Sequence, residues 1–257
     1  MRVFILPQEP PFGQFIDLRG EDHHYLSRVR RVRVGDQFPG SDSRGGRWLC
    51  TVTRIGPSSL RLRLEKEAHV ARPEQPAIRL IQCLPKATKM DLIVRQVTEA
   101  GVQEVIPVFS RYSQVRLGGL SGGQGVEKKL ERWRRIARQA VQQSGAARPP
   151  DIEAPRELES FIRVLDEGRS EEVRLFFHQE REGADTLHRC LSKSVKIITL
   201  VVGPEGGLSP EEVELLRSKN FVPITVGDTV LRTETAALYA VAAVQIVMHE
   251  RDAWEPT

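Results

Sequence analysis

The sequence has few cysteines, and they stand far apart. Cys50, Cys83 and Cys190 are the three cysteines in 257 residues, and none belongs to a Cys-x-x-Cys pair. Disulfide frameworks and thiolate metal sites need clustered cysteines, so this distribution argues against both classes of protein. Scattered thiols are typical of a chain kept in a reducing environment, and we expect a cytoplasmic location.

Long hydrophobic runs and leader sequences are also missing. No stretch approaches the roughly 18 uncharged apolar residues of a membrane-spanning helix, so we expect no membrane contact. The apolar stretch before Pro7 is too short for a signal sequence. His23 and His24 have no third candidate ligand near them in sequence, so we expect no metal site.

The familiar glycine-rich nucleotide motifs are absent as well. The segment Leu117 to Gly125 contains five glycines, but their spacing matches neither Gly-x-Gly-x-x-Gly nor a P-loop. We therefore interpret it as a flexible loop. A Rossmann-type hydride-transfer enzyme is disfavoured for the same reason.

Charge is concentrated in the first part of the chain. The whole chain carries a net charge of +4, whereas residues 1–72 contain 13 Lys and Arg against 8 Asp and Glu, a surplus of five. The centre of this surplus is Arg28, Arg30, Arg31 and Arg33. Such a cluster can hold RNA phosphates, although an ordinary solvated face would have the same composition.

Residues 1–72 have the pattern of a small β domain. Arg2–Leu6, Arg47–Ile55 and Leu60–Leu64 are predicted strands, the last two with alternating apolar and polar residues. Glu21–Val29 is predicted to be a short helix. Several short strands separated by turns indicate a small barrel. The polar, proline-containing segment Glu67–Ala77 is predicted to link this domain to the next.

Residues 73–257 alternate between strand and helix patterns. The predicted strands are Ile78–Leu84, Val105–Phe109, Val173–Phe177, Ile197–Val202 and Val222–Val226. The predicted helices are Lys89–Ala100, residues 127–143, Pro210 to about Lys219, and Ala236–Met248. Alternation of this kind predicts a parallel α/β sheet with right-handed crossovers.

One predicted helix has two distinct faces. Within residues 127–143, one face is an apolar seam of Leu130, Trp133, Ile136, Ala137, Ala140 and Val141. Lys128, Arg132 and Arg135 form a basic stripe on the opposite face. The stripe is consistent with solubility alone or with RNA contact.

The segment Val202–Gly207 has the pattern of a ligand-binding loop. The buried strand Ile197–Val202 is followed by glycines and then by Ser209, which with Glu212 forms a predicted capping box. Glycines let the backbone approach a ligand closely. Open α/β sheets bind ligands where a strand, a glycine loop and a capped helix follow one another.

A second informative segment, Leu231–Thr235, precedes an uncharged helix. A helix that is apolar on all sides is buried in a core or against a partner subunit. Arg232 and Glu234 would therefore lie at the mouth of a buried helix, where charges are costly without partners. They could pair with each other, cap the helix or act on a substrate.

Together these segments identify a resemblance. Val202–Gly207 and Leu231–Ala236 resemble bacterial 16S rRNA uridine-N3 methyltransferases of the SPOUT superfamily, and the similarity extends over nearly the whole chain. Other segments that agree in order and spacing are Lys86–Asp91, Thr98–Val102, Pro107 with Arg111, and Gln143–Gly145 with Arg148.

The resemblance implies an architecture and an activity. It implies a PUA-like RNA-binding β-barrel over residues 1–72 and a SPOUT α/β methyltransferase domain with a trefoil knot over residues 73–257. The implied reaction is S-adenosylmethionine-dependent methylation of uridine N3 in 16S rRNA. The implied partners are that RNA, in the assembled small ribosomal subunit, and a second copy of the chain in a homodimer.

The resemblance also supplies candidate site residues. The cofactor candidates are Phe177, His178, Val202, Gly203, Pro204, Glu205, Gly206, Val226, Gly227, Leu231, Arg232, Thr233, Thr235 and Ala236. Arg232 is the candidate for stabilising an anionic uracil oxygen, and Glu234 for positioning Arg232 or taking the N3 proton. The RNA candidates are Arg28, Arg30, Arg31, Arg33, Lys86, Lys89, Arg111, Arg132, Arg135 and Arg148.

Two other functions compete with base methylation. One is ribose 2′-O-methyl transfer, which the Arg-Thr-Glu-Thr segment and the PUA-like start disfavour. The other is a non-catalytic RNA-binding or ribosome-assembly factor. A non-catalytic relative would be expected to have a degraded cofactor loop, whereas the loops at Gly203–Gly207 and Arg232–Thr235 are intact in sequence.

Overall fold

The chain divides into two compact units. A computed structural model of the protein describes residues 3–7, 15–42, 46–67, 75–113, 122–146, 148–166, 171–178, 185–191, 195–225, 227 and 229–250. The first unit comprises Met1–Arg72 and Arg138–Pro149, and the second comprises Pro73–Ala137 and Pro150–Thr257. The domain boundary between residues 72 and 73 stays a prediction.

The first unit contains a five-stranded sheet. Its elements are β1 (Phe4–Ile5), β2 (Phe15–Arg19), α1 (Gly20–His24) followed by a π-helical turn (Tyr25–Val29), β3 (Gln37–Ser41), β4 (Arg47–Ile55) and β5 (Ser59–Lys66). The strand order is β1-β3-β4-β5-β2, in which only β1 and β3 pair in parallel. The predicted strands and the predicted helix are confirmed. Closure of this sheet into a barrel stays a prediction.

Alternation along the strands of the first unit produces its core. Leu60, Leu62 and Leu64 of β5 are fully buried, whereas the intervening Arg61 and Arg63 are not. Side chains two residues apart on a strand share a face, so one face of β5 packs inward and the other meets water. Sequence analysis did not identify β2 and β3, since each is only five residues long and the second contains Pro39 and Gly40.

The second unit is built on a parallel sheet. Its strands are β6 (Ala77–Cys83), β7 (Glu104–Phe109), β8 (Asp151–Ile152), β9 (Arg156–Glu157), β10 (Glu172–Phe177), β11 (Ile197–Val202) and β12 (Val222–Ile224). The order is β12-β10-β11-β6-β7-β8, β9 also pairs with β7, and every pairing is parallel. The predicted parallel α/β sheet is confirmed.

Helices of the second unit bury apolar side chains against this sheet. They are α2 (Lys89–Glu99), the part of α3 (Gly122–Ser144) up to Ala137, α4 (Leu158–Val164), α5 (Leu187–Cys190), α6 (Pro210–Ser218) and α7 (Thr233–Glu250). Every residue of the predicted apolar seam of α3 is buried, which confirms that face. Two apolar clusters result: one contains residues of α2, α3 and α7, and the other contains residues of α4 and α6.

Two predicted helix starts were wrong. Helix α3 begins at Gly122, inside the segment predicted to be a loop. A formed helix extends readily by one hydrogen bond per residue, which offsets a glycine penalty of about 1 kcal/mol. Helix α7 begins at Thr233 instead of Ala236, and the N–H of Ala236 donates to the Arg232 carbonyl at 2.8 Å. Thr233 and Glu234 therefore belong to the first turn of α7.

Two further features bear on the class of protein. All three cysteines are free thiols, and burial raises the pKa of Cys50 and of Cys83 to about 12. Such thiols stay protonated at neutral pH and are poor nucleophiles.

No helix within the described ranges has both the length and the apolarity needed to cross a membrane.

Candidate active site

The carboxyl ends of three neighbouring strands meet at one cavity. Strands β10, β11 and β12 lie side by side in parallel, so the loops that follow them leave the same edge of the sheet. The cavity between these loops has a volume of about 410 Å³, and seventeen of the described residues line it. They are Phe177, His178, Val202, Gly203, Pro204, Gly206, Gly207, Leu208, Ile224, Thr225, Gly227, Thr229, Val230, Leu231, Thr233, Ala236 and Tyr239.

The glycine loop after β11 is folded tightly against itself. The N–H of Gly207 donates to the Pro204 carbonyl at 3.0 Å, and Gly207 has a φ of +74°. A Cβ placed on Gly203 would lie 3.2 Å from the carbonyl carbon of Gly207, closer than most real contacts. Side chains are therefore disfavoured at both positions, and the wall of the cavity here is bare backbone.

Helix α6 anchors the far end of the glycine loop. The predicted capping box is confirmed: the Ser209 hydroxyl accepts from the Glu212 N–H, and the Glu212 carboxylate accepts from the Ser209 N–H. The other Glu212 oxygen accepts from the Arg111 N–H at 2.8 Å. Glu212 thus joins the start of α6 to the turn that follows β7.

Thr233 ties the two sequence-identified segments together. Its hydroxyl donates to the Gly203 carbonyl at 2.7 Å and accepts from the Gln82 side-chain amide at 3.1 Å. The Gln82 amide also donates to the Cys83 carbonyl at 2.8 Å. Thr233 and Gln82 are buried, so these bonds are shielded from water and fix the start of α7 on the glycine loop.

Lys89 joins the same two segments by charge. Its ammonium lies 2.9 Å from Glu205 Oε1 in the glycine loop. It also lies 3.2 Å from Glu234 Oε2 in α7, an approach that pairs the charges without hydrogen-bond alignment. The Lys86 N–H donates to Glu205 Oε1 at 3.2 Å. One cation from the first turn of α2 therefore sits between two carboxylates that are distant in sequence.

Opposite pKa shifts follow from this arrangement. Burial acts to raise the pKa of Glu205, but hydrogen bonds from Lys89 and from backbone N–H groups outweigh it and leave the pKa below its ordinary value. The hydrogen bond to Glu205 raises the pKa of Lys89, against a smaller opposing effect of burial. Both groups are consequently charged at neutral pH.

Most cofactor candidates surround the cavity. Ten of the fourteen line it, and these are Phe177, His178, Val202, Gly203, Pro204, Gly206, Gly227, Leu231, Thr233 and Ala236. Within the described part of the chain, Glu205, Arg232 and Thr235 are not among the lining residues, and Val226 lies outside the described residues. Arg232 is exposed, immediately between the lining residues Leu231 and Thr233.

Seven lining residues are not among the fourteen cofactor candidates. Gly207 belongs to the predicted ligand-binding loop, and Leu208, Thr229 and Val230 directly adjoin candidate segments. Ile224 and Thr225 end the short strand β12. Tyr239 reaches the cavity from the second turn of α7, and no sequence pattern distinguished it from the rest of that apolar helix.

The RNA candidates are distributed over both units. In the first unit Arg28, Arg31, Arg33 and Arg148 are exposed, whereas Arg30 is half-buried with its guanidinium 4.7 Å from the Phe38 ring centroid. In the second unit Lys86 and Arg135 are exposed, Arg111 pairs with Glu211 at 3.0 Å and Arg132 pairs with Asp91.

Within the described ranges, no three His, Cys, Asp or Glu side chains are grouped to hold a metal ion.

Comparison with known proteins decides the family. Residues 73–245 match the model of an RNA methyltransferase domain, and residues 18–65 match that of an RNA methyltransferase PUA domain. The chain belongs to the RNA methyltransferase family. The resemblance seen in the sequence is thereby confirmed.

Two curated relatives with high coverage of this chain share one name. Ribosomal RNA small subunit methyltransferase E of Aquifex aeolicus is 32% identical over 251 residues, which cover 97% of this chain and 100% of the relative. The Mycobacterium bovis protein of the same name is 31% identical over 252 residues, covering 98% of this chain and 94% of the relative.

Solved structures of RNA methyltransferases have the same fold. Ribosomal RNA small subunit methyltransferase E of Neisseria gonorrhoeae, bound to S-adenosylmethionine, superposes with a TM-score of 0.83 at 28% identity. The alignment covers 96% of this chain and 98% of that one. A methyltransferase of Legionella pneumophila with bound S-adenosylmethionine gives a TM-score of 0.81 at 26% identity, covering 95% of this chain and 96% of that one. The trefoil knot stays a prediction.

The Thr233 hydroxyl generates a stability prediction. Thr233→Val keeps the shape of the side chain but leaves the Gly203 carbonyl without this donor. We expect the free energy of unfolding, measured by urea denaturation, to fall by about 1–3 kcal/mol. Thr233→Ser retains the hydroxyl and should lose clearly less. Equal losses in the two variants would show that packing of the threonine methyl group, rather than hydrogen bonding, is responsible.

The Lys89 bridge generates a pH-dependent prediction. Lys89→Met leaves Glu205 and Glu234 without their shared cation, so the melting temperature should fall at pH 7. Because Lys89 lowers the pKa of Glu205, its stabilisation is present above the ordinary carboxyl pKa of 4.5 and is lost as pH falls through the lower folded value. The gap between wild type and variant should therefore narrow below about pH 4.5.

A matched control distinguishes this bridge from surface charge in general. Lys196 pairs with Glu171 at 2.8 Å, but both side chains are more than half exposed. Exposed pairs contribute little to stability, so Lys196→Met should change the melting temperature only slightly at either pH. A Lys89→Met variant that behaves like Lys196→Met would contradict the bridging role.

Proposed function

We propose that this chain transfers a methyl group from S-adenosylmethionine to N3 of a uridine in 16S rRNA. Residues 73–257 are proposed to be the methyltransferase domain, and residues 1–72 the domain that engages RNA. The observation that carries the proposal is the cavity at the ends of β10, β11 and β12, formed by both segments that identified the family. A cytoplasmic location follows from the proposed substrate.

The residues around the cavity fit S-adenosylmethionine. A volume of about 410 Å³ lies within the roughly 300–1,000 Å³ usual for small-molecule sites. Phe177, Leu208 and Ile224 supply apolar surface for a flat base, and the bare backbone of Gly203 and Gly207 supplies polar groups at close range. Threonine hydroxyl groups, the Tyr239 hydroxyl and the His178 imidazole are also present among the described lining residues, beside polar groups of the ligand.

The proposed reaction requires deprotonation and orientation of the uracil. S-adenosylmethionine, when bound, supplies an electrophilic methyl group on sulfur. Uridine N3 is mostly protonated at neutral pH, so a base must accept its proton as the new N–CH3 bond forms. The protein must also hold N3 in line with the methyl group, which converts an encounter in solution into a positioned reaction.

Arg232 is the proposed electrostatic catalyst. It is exposed at the start of α7 and is flanked by two residues that line the cavity. A guanidinium there can stabilise the negative charge that develops on a uracil oxygen when N3 loses its proton, through two parallel hydrogen bonds. Glu234 is held by Lys89, so we propose that it fixes the start of α7.

Basic side chains are proposed to grip the RNA backbone. Arg28, Arg31 and Arg33 are exposed in the first unit, and Lys86, Arg111, Arg132, Arg135 and Arg148 are the further candidates. Phosphate contacts supply affinity and salt dependence, while the target base must leave its stack to reach the cavity. We propose that the substrate is the assembled small subunit, whose folded rRNA presents such a base in a fixed setting.

We also propose that two copies of the chain form a homodimer through α7. The helix buries Ala237, Val241 and Val244, but Tyr239 and Ile246 on another face are 49% and 55% exposed. Those two positions are seven residues apart and therefore lie on one side of the helix. Leu92 of the neighbouring helix α2 is also 39% exposed. Apolar surface of this kind, on a helix without charged residues from Thr235 to Met248, is typical of a subunit interface.

Methyl transfer from labelled S-adenosylmethionine to small subunits from cells lacking this protein tests the proposed function. Digestion to nucleosides should place the label in 3-methyluridine. Label in a ribose-methylated nucleoside would instead indicate the 2′-O reaction. Absence of label, despite measurable cofactor binding, would favour a non-catalytic RNA-binding role.

Arg232→Lys tests the electrostatic role within that assay. Lysine keeps the positive charge but cannot make two parallel hydrogen bonds, so we expect the rate constant for methyl transfer to fall by up to about a hundredfold, the equivalent of ~3 kcal/mol. Affinity for S-adenosylmethionine, measured by calorimetry, should be unchanged. The control is Arg163→Lys on the exposed face of α4, which should be fully active. A wild-type rate for Arg232→Lys would eliminate the bidentate role.

Ile246→Glu tests the proposed dimer surface. A charge at the centre of an apolar interface is costly to bury, so sedimentation should show a monomer in place of a dimer. Val164 of α4 is 77% exposed and away from this face, and Val164→Glu should sediment like the wild type. The proposal fails if the wild type is monomeric, or if both variants remain dimeric.

A further inference from the structure

A second cavity adjoins the first across the glycine loop. It has a volume of about 440 Å³ and is lined by Lys86, Tyr112, Glu205 and Gly206. Gly206 also lines the cavity proposed for the cofactor, so the two cavities are neighbours that meet at this residue. A ligand in the second cavity would therefore lie beside one in the first.

The strand order explains why the two cavities are adjacent. Strand β11 has β10 on one side and β6 on the other, and β7 follows β6. The cofactor cavity lies at the carboxyl ends of β12, β10 and β11. Lys86 follows β6 and Tyr112 follows β7, so the second cavity occupies the next positions along the same edge. This edge is where parallel sheets bind ligands.

Tyr112 is an aromatic platform on a rigid turn. The Ser113 N–H donates to the Ser110 carbonyl at 3.0 Å, and the hydroxyls of these two buried serines lie 3.0 Å apart. Glu212 of α6 fixes the neighbouring Arg111 N–H. Yet the Tyr112 side chain is 45% exposed. Because this turn is already ordered, little conformational entropy is lost when a ligand stacks on the exposed ring.

Gly206 allows this ring to approach the glycine loop. A Cβ placed on Gly206 would lie 3.0 Å from Tyr112 Cβ and 3.6 Å from Tyr112 Cγ, so the side chain leans directly on the Gly206 backbone. Tyr112 is therefore held at the boundary between the two cavities. Any side chain at position 206 would displace it.

The charges around the second cavity suit a nucleotide. Glu205 is acidic, but its carboxylate is paired with Lys89 and accepts from the Lys86 N–H, which compensates its charge. The Lys86 side chain is exposed. The cavity thus offers an aromatic face for a base and a free-standing ammonium for a phosphate, the combination that single-stranded nucleic acid requires.

We propose that Tyr112 and Lys86 form the subsite for the flipped-out target nucleotide, with the uracil stacked on the Tyr112 ring and Lys86 at a flanking phosphate. This inference rests on the proposed function, and it specifies where the substrate base sits relative to the cofactor cavity. It gives the turn after β7, which carries Tyr112, a role in binding the substrate base.

Substitutions at Tyr112 distinguish the effect of aromatic stacking from the effect of side-chain size. Methyl transfer to small subunits is measured with Tyr112→Phe, Tyr112→Leu and Tyr112→Ala, and S-adenosylmethionine affinity is measured in parallel by calorimetry. Tyr112→Phe keeps the ring and should behave like the wild type. Loss of stacking in the Leu and Ala variants should raise KM for the subunit by about tenfold to a hundredfold, with cofactor affinity unchanged.

Lys86→Gln tests the phosphate contact. It should weaken subunit binding and reduce the slope of log affinity against log salt by about one, again without changing cofactor affinity. A salt slope equal to that of the wild type would overturn the role of Lys86.

Two results would overturn the role of Tyr112. One is a wild-type KM for Tyr112→Leu, which would show that the ring contacts no substrate. The other is a loss of cofactor affinity as large as the rise in KM, which would show that Tyr112 only supports the Gly206 loop. Failure of the proposed function is distinguishable, because the wild type itself would then transfer no label to uridine, and the subsite would fall with it.

Discussion

The hydrogen bonds of the Thr233 hydroxyl are the constraint on which the site depends. One short side chain joins the carbonyl that ends β11, the amide of Gln82 in β6 and the first turn of α7. These hydrogen bonds act together with the Lys89 ion pairs, which also join the glycine loop to the start of α7. Buried hydrogen bonds are directional and insensitive to salt, so they set the geometry that the Lys89 ion pairs then reinforce.

The glycine loop works as a partition rather than as a single binding surface. Its Gly203 and Gly207 face the cavity at β10, β11 and β12, while Gly206 touches both cavities and supports Tyr112. Methyl transfer needs the reacting atoms about 3–3.5 Å apart, so ligands in the two cavities can react only around the edge of the loop, where the cavities meet at Gly206. Side chains are disfavoured at Gly203 and Gly206, where a Cβ would crowd the loop itself or Tyr112, and at Gly207, which has a positive φ.

Sequence patterns predicted most strands and helices correctly. They did not predict which residues from distant segments contact one another. The strand Ile197–Val202 and the Ser209 capping box are local, so composition and spacing were sufficient. The partnership of Lys89 with Glu205 and Glu234 joins three segments and depends on sheet order, which no local pattern specifies. Lys89 was accordingly counted with the RNA candidates, since its charge was visible and its partners were not. Short strands such as β8 and β9 were missed because two residues establish no alternation.

Some basic RNA candidates are paired with carboxylates. The burial of each pair determines how easily the basic side chain could leave its partner for an RNA phosphate. Arg111 and Glu211 are 60% and 70% exposed, so their pair is worth at most about 1 kcal/mol and an RNA phosphate can replace the carboxylate. Lys89 is different, because it lies between two carboxylates whose side chains are only 24% and 14% exposed. Moving it to a phosphate would leave those two charges poorly solvated and unpaired, at a much larger cost. Electrostatic affinity for RNA should therefore come from exposed arginines such as Arg28, Arg31 and Arg33, while Lys89 keeps the glycine loop and α7 together.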